Sequence, residues 1–297
     1  LRDCNASFGD GADRNSRAFD KIQEMIGQEQ VKETIIQIGC ELQLGKMKRA
    51  NGLPVTPKSM HMLFTGNPGT GKTTMARYIG EYFRELGLLS KGKFFEISRS
   101  SLIGQYSGWT VKNTKEYFRE AAGSVLFVDE AQTLVNNEFD SYGLEALNQI
   151  CLEMENRRSD IVVIFAGYQD KMEELFKYNY GIRDRFAYRI NFPDYSADEL
   201  GAILAYQLQQ RAMEIDEITI RQLTAYIKTA KENSGLDFGN GRFVRRLVER
   251  IEIHQAERII QSGSKDLVSI RSEDVERTLN DPDMQPVMKK EIRKIGF

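Results

Sequence analysis

An α/β fold, a doubly wound parallel sheet followed by a small helical domain, is predicted by three observations. First, Gly66-Asn67-Pro68-Gly69-Thr70-Gly71-Lys72-Thr73 joins the apolar run His61-Met62-Leu63-Phe64 to Thr74-Met75-Ala76-Arg77-Tyr78-Ile79, whose apolar spacing is helical. Strand, glycine-rich loop and helix in that order form the context of a phosphate-binding P-loop. Second, short apolar runs alternate with helical stretches downstream, the pattern of a sheet with helices on both faces. Third, after Pro193-Asp194 the strand-like runs give way to long amphipathic segments.

Residues 1–18 are polar and glycine-rich without periodicity and read as a tail or linker. Ile22, Met25 and Ile26, then Val31, Ile35, Ile36 and Ile38, predict two helices joined at Gly27, the second running on through Leu42, Leu44 and Met47. The P-loop strand follows the turn-rich Asn51-Gly52-Leu53-Pro54, and a second strand is expected at Lys93-Phe94-Phe95-Glu96-Ile97, then a loop and a helix around 112–121. Ser124-Val125-Leu126-Phe127-Val128 is continuously apolar, as expected of a strand covered on both faces. Ile161-Val162-Val163-Ile164-Phe165 and Tyr188-Arg189-Ile190-Asn191-Phe192 complete five strands, so residues 19–193 form the nucleotide-binding core.

Residues 194–280 form the helical domain, with helices over about 197–212, 219–233 and 242–261, a short strand at Leu267-Val268-Ser269-Ile270, and a helix opened by Ser272. Residues 281–297 are a polar tail that closes as Ile292-Arg293-Lys294-Ile295.

The P-loop chemistry follows from its residue types. Glycines let the backbone fold around an anion, and successive N–H groups and the helix N-terminus point at phosphate. Lys72 supplies a charge for the β/γ-phosphates and Thr73 a hydroxyl for Mg²⁺. Asp129-Glu130 ends the third strand, on the sheet edge where α/β folds bind ligands. There the aspartate would hold Mg²⁺ indirectly and the glutamate would orient and polarise an attacking water. A carboxylate favoured at a helix N-terminus is the alternative reading of the same pair.

Composition bounds the partners. In 297 residues, 41 basic and 43 acidic side chains leave a formal net charge of −2, so no global field recruits nucleic acid or membrane. Three unpatterned cysteines, Cys4, Cys40 and Cys151, suit a reducing compartment. No apolar run approaches the roughly 20 residues that span a bilayer, and the expected location is the cytoplasm. The sequence opens on Leu1 rather than methionine, which leaves room for preceding residues as tag, propeptide or domain. His61 and His254 are isolated and read as structural or surface groups.

An α/β P-loop core with a helical lid resembles the AAA+ ATPases, over about residues 19–280. Leu102-Ile103-Gly104-Gln105-Tyr106-Ser107-Gly108-Trp109-Thr110, Phe127-Val128-Asp129-Glu130-Ala131, Ile164-Phe165-Ala166-Gly167-Tyr168 and Phe192-Pro193-Asp194-Tyr195 are similar to the branch containing stage V sporulation protein K and the red-type Rubisco activase. The resemblance implies ATP with Mg²⁺ as cofactors, Asn67, Pro68, Gly69, Thr70, Gly71, Lys72, Thr73 and Thr74 around the phosphates, Asp129 for the metal and Glu130 for the water. Met25-Ile26-Gly27-Gln28 matches the segment that packs against the adenine, giving Ile26 and Gly27 as binding residues. Arg242, opening the last long lid helix, matches the sensor-2 arginine.

In Arg183-Asp184-Arg185-Phe186 the resemblance places an arginine finger aimed at the next subunit, Arg185 in the first instance and Arg183 as the alternative. Either could instead pair within its own chain. Where many relatives carry a polar sensor-1 residue, usually Asn, this chain has Gly167-Tyr168-Gln169, and Tyr168 or Gln169 would have to align the water. Tyr106 matches the aromatic that faces the pore of ring-forming relatives and grips a polypeptide; its alternative is a core-covering ring.

The leading expectation is a homo-oligomeric, hexameric ATPase that threads or remodels a protein client without membrane insertion. A nucleic-acid motor or loader and a nucleotide-gated scaffold are the other two classes. No basic stripe supports the former, and intact Lys72, Asp129 and Glu130 weigh against the latter.

Overall fold

The computed structural model describes residues 17–56, 58–104, 106, 108–235 and 238–284. Expectations for residues 1–16, the tail from 285 onward including 292–295, and Gln105 and Ser107 lie outside the described residues. The chain divides into two compact units: one running to Gly66 and resuming over Gly71–Pro193, the other made of Asn67–Thr70 with everything from Asp194.

The first unit opens with helices α1 (Arg17–Glu24) and α2 (Glu29–Ala50). Its sheet contains β1 (Met62–Thr65), β2 (Phe94–Ile97), β3 (Val125–Val128), β4 (Val162–Gly167) and β5 (Tyr188–Asn191), all parallel, in the order β2-β3-β4-β1-β5. β3 and β4 are buried along their whole length, whereas the edge strands β2 and β5 are only partly buried, which is why the central strands read as unbroken apolar runs. Successive residues serve opposite faces: Leu126, Val128, Val163 and Phe165 join one core, and Val125, Phe127, Val162 and Ile164 the other.

Helices α3 (Lys72–Glu85), α5 (Trp109–Glu120) and α6 (Ser141–Asn156) lie between strands in sequence, α3 packing into the second core through Met75, Ile79 and Phe83. The expected loop after β2 contains a short helix, α4 (Arg99–Leu102), at whose start the Ser98 N–H donates to the Ser101 hydroxyl at 3.4 Å. After β4 come α7 (Gln169–Phe176) and α8 (Tyr180–Arg183). No helix among the described residues is long and apolar enough to cross a membrane.

His61, just ahead of β1, is a buried structural group. The Val163 N–H donates to its Nδ1 at 3.0 Å, so the ring proton sits on Nε2, 2.9 Å from the Met154 carbonyl that accepts it. Burial pushes the imidazole down to about 4, against the opposing pull of that carbonyl. Between that value and the ordinary one near 6.5 the unfolded chain binds more protons than the folded one. His61 therefore contributes stability that is complete above about pH 6.5 and is lost as pH falls toward 4. We expect about 2 kcal/mol of that loss by pH 5, read from urea unfolding at stepped pH. In His61→Gln this part of the slope should vanish, and an unchanged slope in the variant would assign it elsewhere.

The second unit holds α9 (Ala197–Gln210), α10 (Glu217–Ser234), α11 (Gly241–Ser262) and α12 (Ser272–Asn280). Ser196 and Glu199 form a capping box at α9, and Asp216 caps α10. Leu200, Leu204, Leu223, Ile227, Leu247 and Ile251 fill the core between them, and Met284 joins it, so packing continues beyond the boundary expected at 280. Arg258 on α11 holds α12 through a buried pair with Asp274 at 2.8 Å.

The strand expected over 267–270 is not formed. Ser269 makes an isolated parallel bridge to Glu214, whose N–H and carbonyl bond Val268 and Ile270 at 2.8 Å each. Leu267 and Val268 stay exposed, and of this run only Ile270 joins the core.

Candidate active site

The glycine-rich loop leaves β1 with Gly66 at φ 140°, its N–H on the Gly167 carbonyl at the end of β4. A Cβ on Gly66 would lie 2.3 Å from the Phe192 carbonyl, so close backbone approach and a positive φ both require glycine there. Lys72 Nζ reaches back 2.8 Å to the Gly66 carbonyl, arching over the loop. Thr70, fully buried, bonds the Asn67 carbonyl at 2.8 Å.

The start of α3 suits an anion. Gly71 is its N-cap and offers no side chain to the first-turn amides, and that turn carries no acidic residue. A glycine cap and an acid-free first turn at the positive end of the helix dipole are an arrangement that fits phosphate. Thr73 is half-buried in this first turn and Thr74 is exposed beside it.

Two strands away, Asp129 follows β3 with its N–H on the Ile97 carbonyl at 3.1 Å, and its Oδ1 accepts the Glu130 N–H at 3.0 Å. Glu130 is exposed and sits at φ 46°, ψ 45°, a left-handed conformation uncommon outside glycine. The turn that follows, Ala131–Leu134, holds it there, because Thr133 donates both its N–H and Oγ1 to the Glu130 carbonyl at 2.7 and 2.8 Å. Strained backbone of this kind recurs where a side chain must be aimed. An open cavity of ≈ 440 Å³ lies alongside, between Asp129, Glu130 and Thr133 on one side and Ser98–Ser101 on the other. Arg99 on that rim is paired with Asp140 at 2.6 Å, and with the Asn136 and Gly143 N–H groups this holds the carboxylate down to about 2 against its burial.

At the end of β4, Gly167 has no side chain to offer as a sensor. Tyr168 is exposed, and Gln169 is exposed at the start of α7. A polar group that sequence reading missed occupies the place: Gln132 Oε1 lies 2.2 Å from where a Gly167 Cβ would be, and it is buried without a hydrogen-bond partner among the described residues. The signal was a glutamine two residues past the carboxylate pair, visible as relevant only once β3 and β4 are neighbours.

The bend between α1 and α2 places Ile26 half-buried and Gly27 at φ 66°. Arg185 folds back on its own chain, Nη1 donating to the Gly181 carbonyl at 2.6 Å and Nε 3.7 Å from Glu155. Arg183 lies 3.5 Å from Glu173. Their side chains are 28% and 41% exposed, so Arg183 is the freer to reach outward. Tyr106 is 62% exposed and meets the equally surface-facing Trp109 edge-on at 5.2 Å, which is incompatible with a core-covering role.

Inside the second unit, Arg242 is exposed in the first turn of α11. Gly69 lies against that turn: a Cβ there would stand 2.3 Å from the Gly239 carbonyl and 2.8 Å from the Arg242 nitrogen. Asn240, buried at φ 45°, donates to Asp194 at 2.8 Å and accepts the Tyr195 N–H at 3.2 Å, while Asn67 donates to the same carboxylate at 3.0 Å. Asn67 was expected at the phosphates, but its network with Asp194 and Asn240 was not foreseen from sequence, because nothing local marks partners more than forty positions apart.

The family model described as "ATPase family associated with various cellular activities (AAA)" matches residues 62–194, and one described as an AAA lid domain matches residues 196–286. Ribulose bisphosphate carboxylase/oxygenase activase, chloroplastic, of Cyanidioschyzon merolae is 39% identical over 263 residues, 86% of this chain and 89% of that protein. Stage V sporulation protein K of Bacillus subtilis is 34% identical over 259 residues, 86% of this chain and 80% of that protein. A CfxQ homolog of Galdieria sulphuraria is 40% identical over 260 residues, 85% and 84% of the two chains. Among solved structures, the FIGL-1 AAA domain in complex with ADP superposes with a TM-score of 0.61 at 18% identity, covering 90% of this chain and 85% of that one, a likeness of fold.

Proposed function

The chain belongs to the AAA family of ATPases, in the branch of Rubisco activase, the CfxQ homologs and stage V sporulation protein K, and from that membership we infer an ATP-driven ring that remodels a protein client. It binds adenine nucleotide and hydrolyses ATP. What we propose beyond that is the division of labour among its residues.

Gly66, Asn67, Pro68, Gly69, Thr70 and Gly71 wrap the phosphates, and Lys72 exchanges its Gly66 carbonyl for β/γ oxygens. The Thr73 hydroxyl and the single carboxylate of Asp129 would hold Mg²⁺, offering the sparse set of protein oxygens that this metal accepts. Bound there, the metal would neutralise charge that develops on the phosphates. Glu130 takes the proton of the attacking water, Arg242 reports phosphate occupancy to the lid, and Arg185 or Arg183 reaches the neighbouring subunit's nucleotide.

The observation that carries remodelling is the exposed Tyr106 beside Trp109, with Gly108 at φ 80° opening α5 after it. An exposed aromatic grips many side chains without reading their sequence. One relative is an activase of ribulose bisphosphate carboxylase/oxygenase, a protein target, and we propose a protein client here too. In a hexamer, six such loops would line the pore.

Tyr106→Ala should keep basal ATP hydrolysis within about twofold and lose at least tenfold in ATP-dependent unfolding of a tagged client, with an unchanged melting temperature. Full client processing by the variant would refute the gripping role. Size measurement of the ATP-bound protein tests the hexamer, and stimulation of hydrolysis by DNA or RNA but by no protein would favour a nucleic-acid motor.

A further inference from the structure

Arg99 does more than pair with Asp140. Its guanidinium takes both oxygens of that carboxylate, Nη1 at 2.6 Å and Nη2 at 3.1 Å. Nη1 also donates to the Leu134 carbonyl and, more weakly, to the Thr133 carbonyl at 3.5 Å. Those two carbonyls belong to the turn Ala131–Leu134, the one that fixes Glu130. A Cβ on Gly143 would stand 2.3 Å from the Leu134 carbonyl and 2.8 Å from Arg99 Nη1, so the first turn of α6 leaves room for the two to meet. A planar guanidinium with five donors can serve a carboxylate and two carbonyls at once, in fixed geometry.

The backbone of the same residue serves another segment. Its carbonyl accepts the Ile103 N–H at 3.0 Å, where α4 ends and the stretch carrying Tyr106 begins. That stretch is tied at its base: the Asn113 amide donates to the Leu102 carbonyl at 3.3 Å, and the Gly104 N–H to Thr110 Oγ1 at 3.2 Å. The Trp109 N–H closes it on the Tyr106 carbonyl at 3.1 Å. A continuous path therefore runs from Glu130 to the aromatic pair: Thr133 on the Glu130 carbonyl, Arg99 on the Thr133 and Leu134 carbonyls, and Ile103 on the Arg99 carbonyl. Coupling needs an element with two arrangements as well as a path. Glu130 supplies it, because a left-handed backbone at a residue with a side chain relaxes unless its neighbours hold it.

We propose that Arg99 is the positioning residue that links Glu130 to the Tyr106 stretch, so that the state of the nucleotide reaches Tyr106 and Trp109, and load on those rings reaches the carboxylate that activates water. The inference rests on the roles proposed above for Glu130 and Tyr106, and adds the connection between them. The guanidinium is spent on protein oxygens, so Arg99 acts through Glu130 and not on the phosphates.

The chain carries its own reporter, because Trp109 is its only tryptophan. The test compares Trp109 emission with ADP and with a non-hydrolysable ATP analogue, beside nucleotide affinity and single-turnover hydrolysis, in the wild type and in Arg99→Met, which keeps an apolar stem and loses every donor. In the wild type the two nucleotides should give different emission. In Arg99→Met affinity should stay within about twofold, hydrolysis should fall about 10–100-fold, and the two emissions should become equal. Thr133→Val removes only the hydroxyl bond to the Glu130 carbonyl, the next link along, and should lower hydrolysis and shrink the emission difference together; it decides the matter if Arg99→Met does not fold. Equal emission in the two states of the wild type would overturn the proposal. So would variants that hydrolyse slowly yet keep the full emission difference, since Arg99 would then only brace the turn, and so would variants unchanged in both. Glu130→Gln hydrolysing at the wild-type rate would count against the reading of Glu130 itself, separately from the emission.

Discussion

Glu130→Gln is expected to lower the rate of ATP hydrolysis by about 10²–10⁴-fold while ATP still binds. Glutamine matches glutamate in shape, so the features that place the side chain survive: the left-handed backbone at φ 46°, the Asp129 Oδ1 that takes its N–H, and the two Thr133 groups on its carbonyl. What is lost is a carboxylate able to accept a proton from water. The effect should therefore fall on the chemical step in single-turnover measurements, with ATP affinity within about twofold of wild type. Hydrolysis at the wild-type rate would remove Glu130 from its role, and a parallel loss of binding would mean that the turn through Leu134 had collapsed. Because a ring that binds without hydrolysing cannot complete its cycle, the same variant should co-purify with its client in ATP.

The parts of this site that could be read from sequence are those whose chemistry is local. A phosphate cradle needs glycines, a lysine and a hydroxyl within eight consecutive positions, and Gly66 to Thr73 supply them whatever the rest of the chain does. The central strands were legible for a different reason: burial on both faces writes itself as an unbroken apolar run, as in Val125–Val128. Leu267-Val268-Ser269-Ile270 has the same local character but only Glu214 to pair with, and pairing is what makes a strand. Gln132 over Gly167 and Asn240 on Asp194 are products of neighbourhood in space. From sequence, Gly167-Tyr168-Gln169 stood where many relatives carry a polar sensor, which left Tyr168 or Gln169 to align the water. In the fold, the space Gly167 leaves is taken by Gln132, so a polar amide still stands at the carboxyl end of β4.

Arg185→Ala is expected to reduce hydrolysis by about 10³-fold, and the defect should be complementable by a subunit that is itself inactive. Arg185 touches nothing at its own chain's P-loop: its guanidinium holds the Gly181 carbonyl and faces Glu155. If the residue acts in trans, each site takes Glu130 from one subunit and Arg185 from the next. Rings of Arg185→Ala alone lack every finger, and rings of Glu130→Gln alone lack every base. Mixed in equal amounts, the two should form sites in which an intact Glu130 meets an intact Arg185 at roughly a quarter of interfaces, and activity should reappear. If Arg185 acts only within its own chain, no subunit in the mixture has both groups, and activity stays at the level of the separate variants. The same mixing with Arg183→Ala decides between the two arginines: the one whose loss is both deep and complementable is the finger, while the other, held 3.5 Å from Glu173 or folded onto Gly181, serves the surface from which the finger is presented.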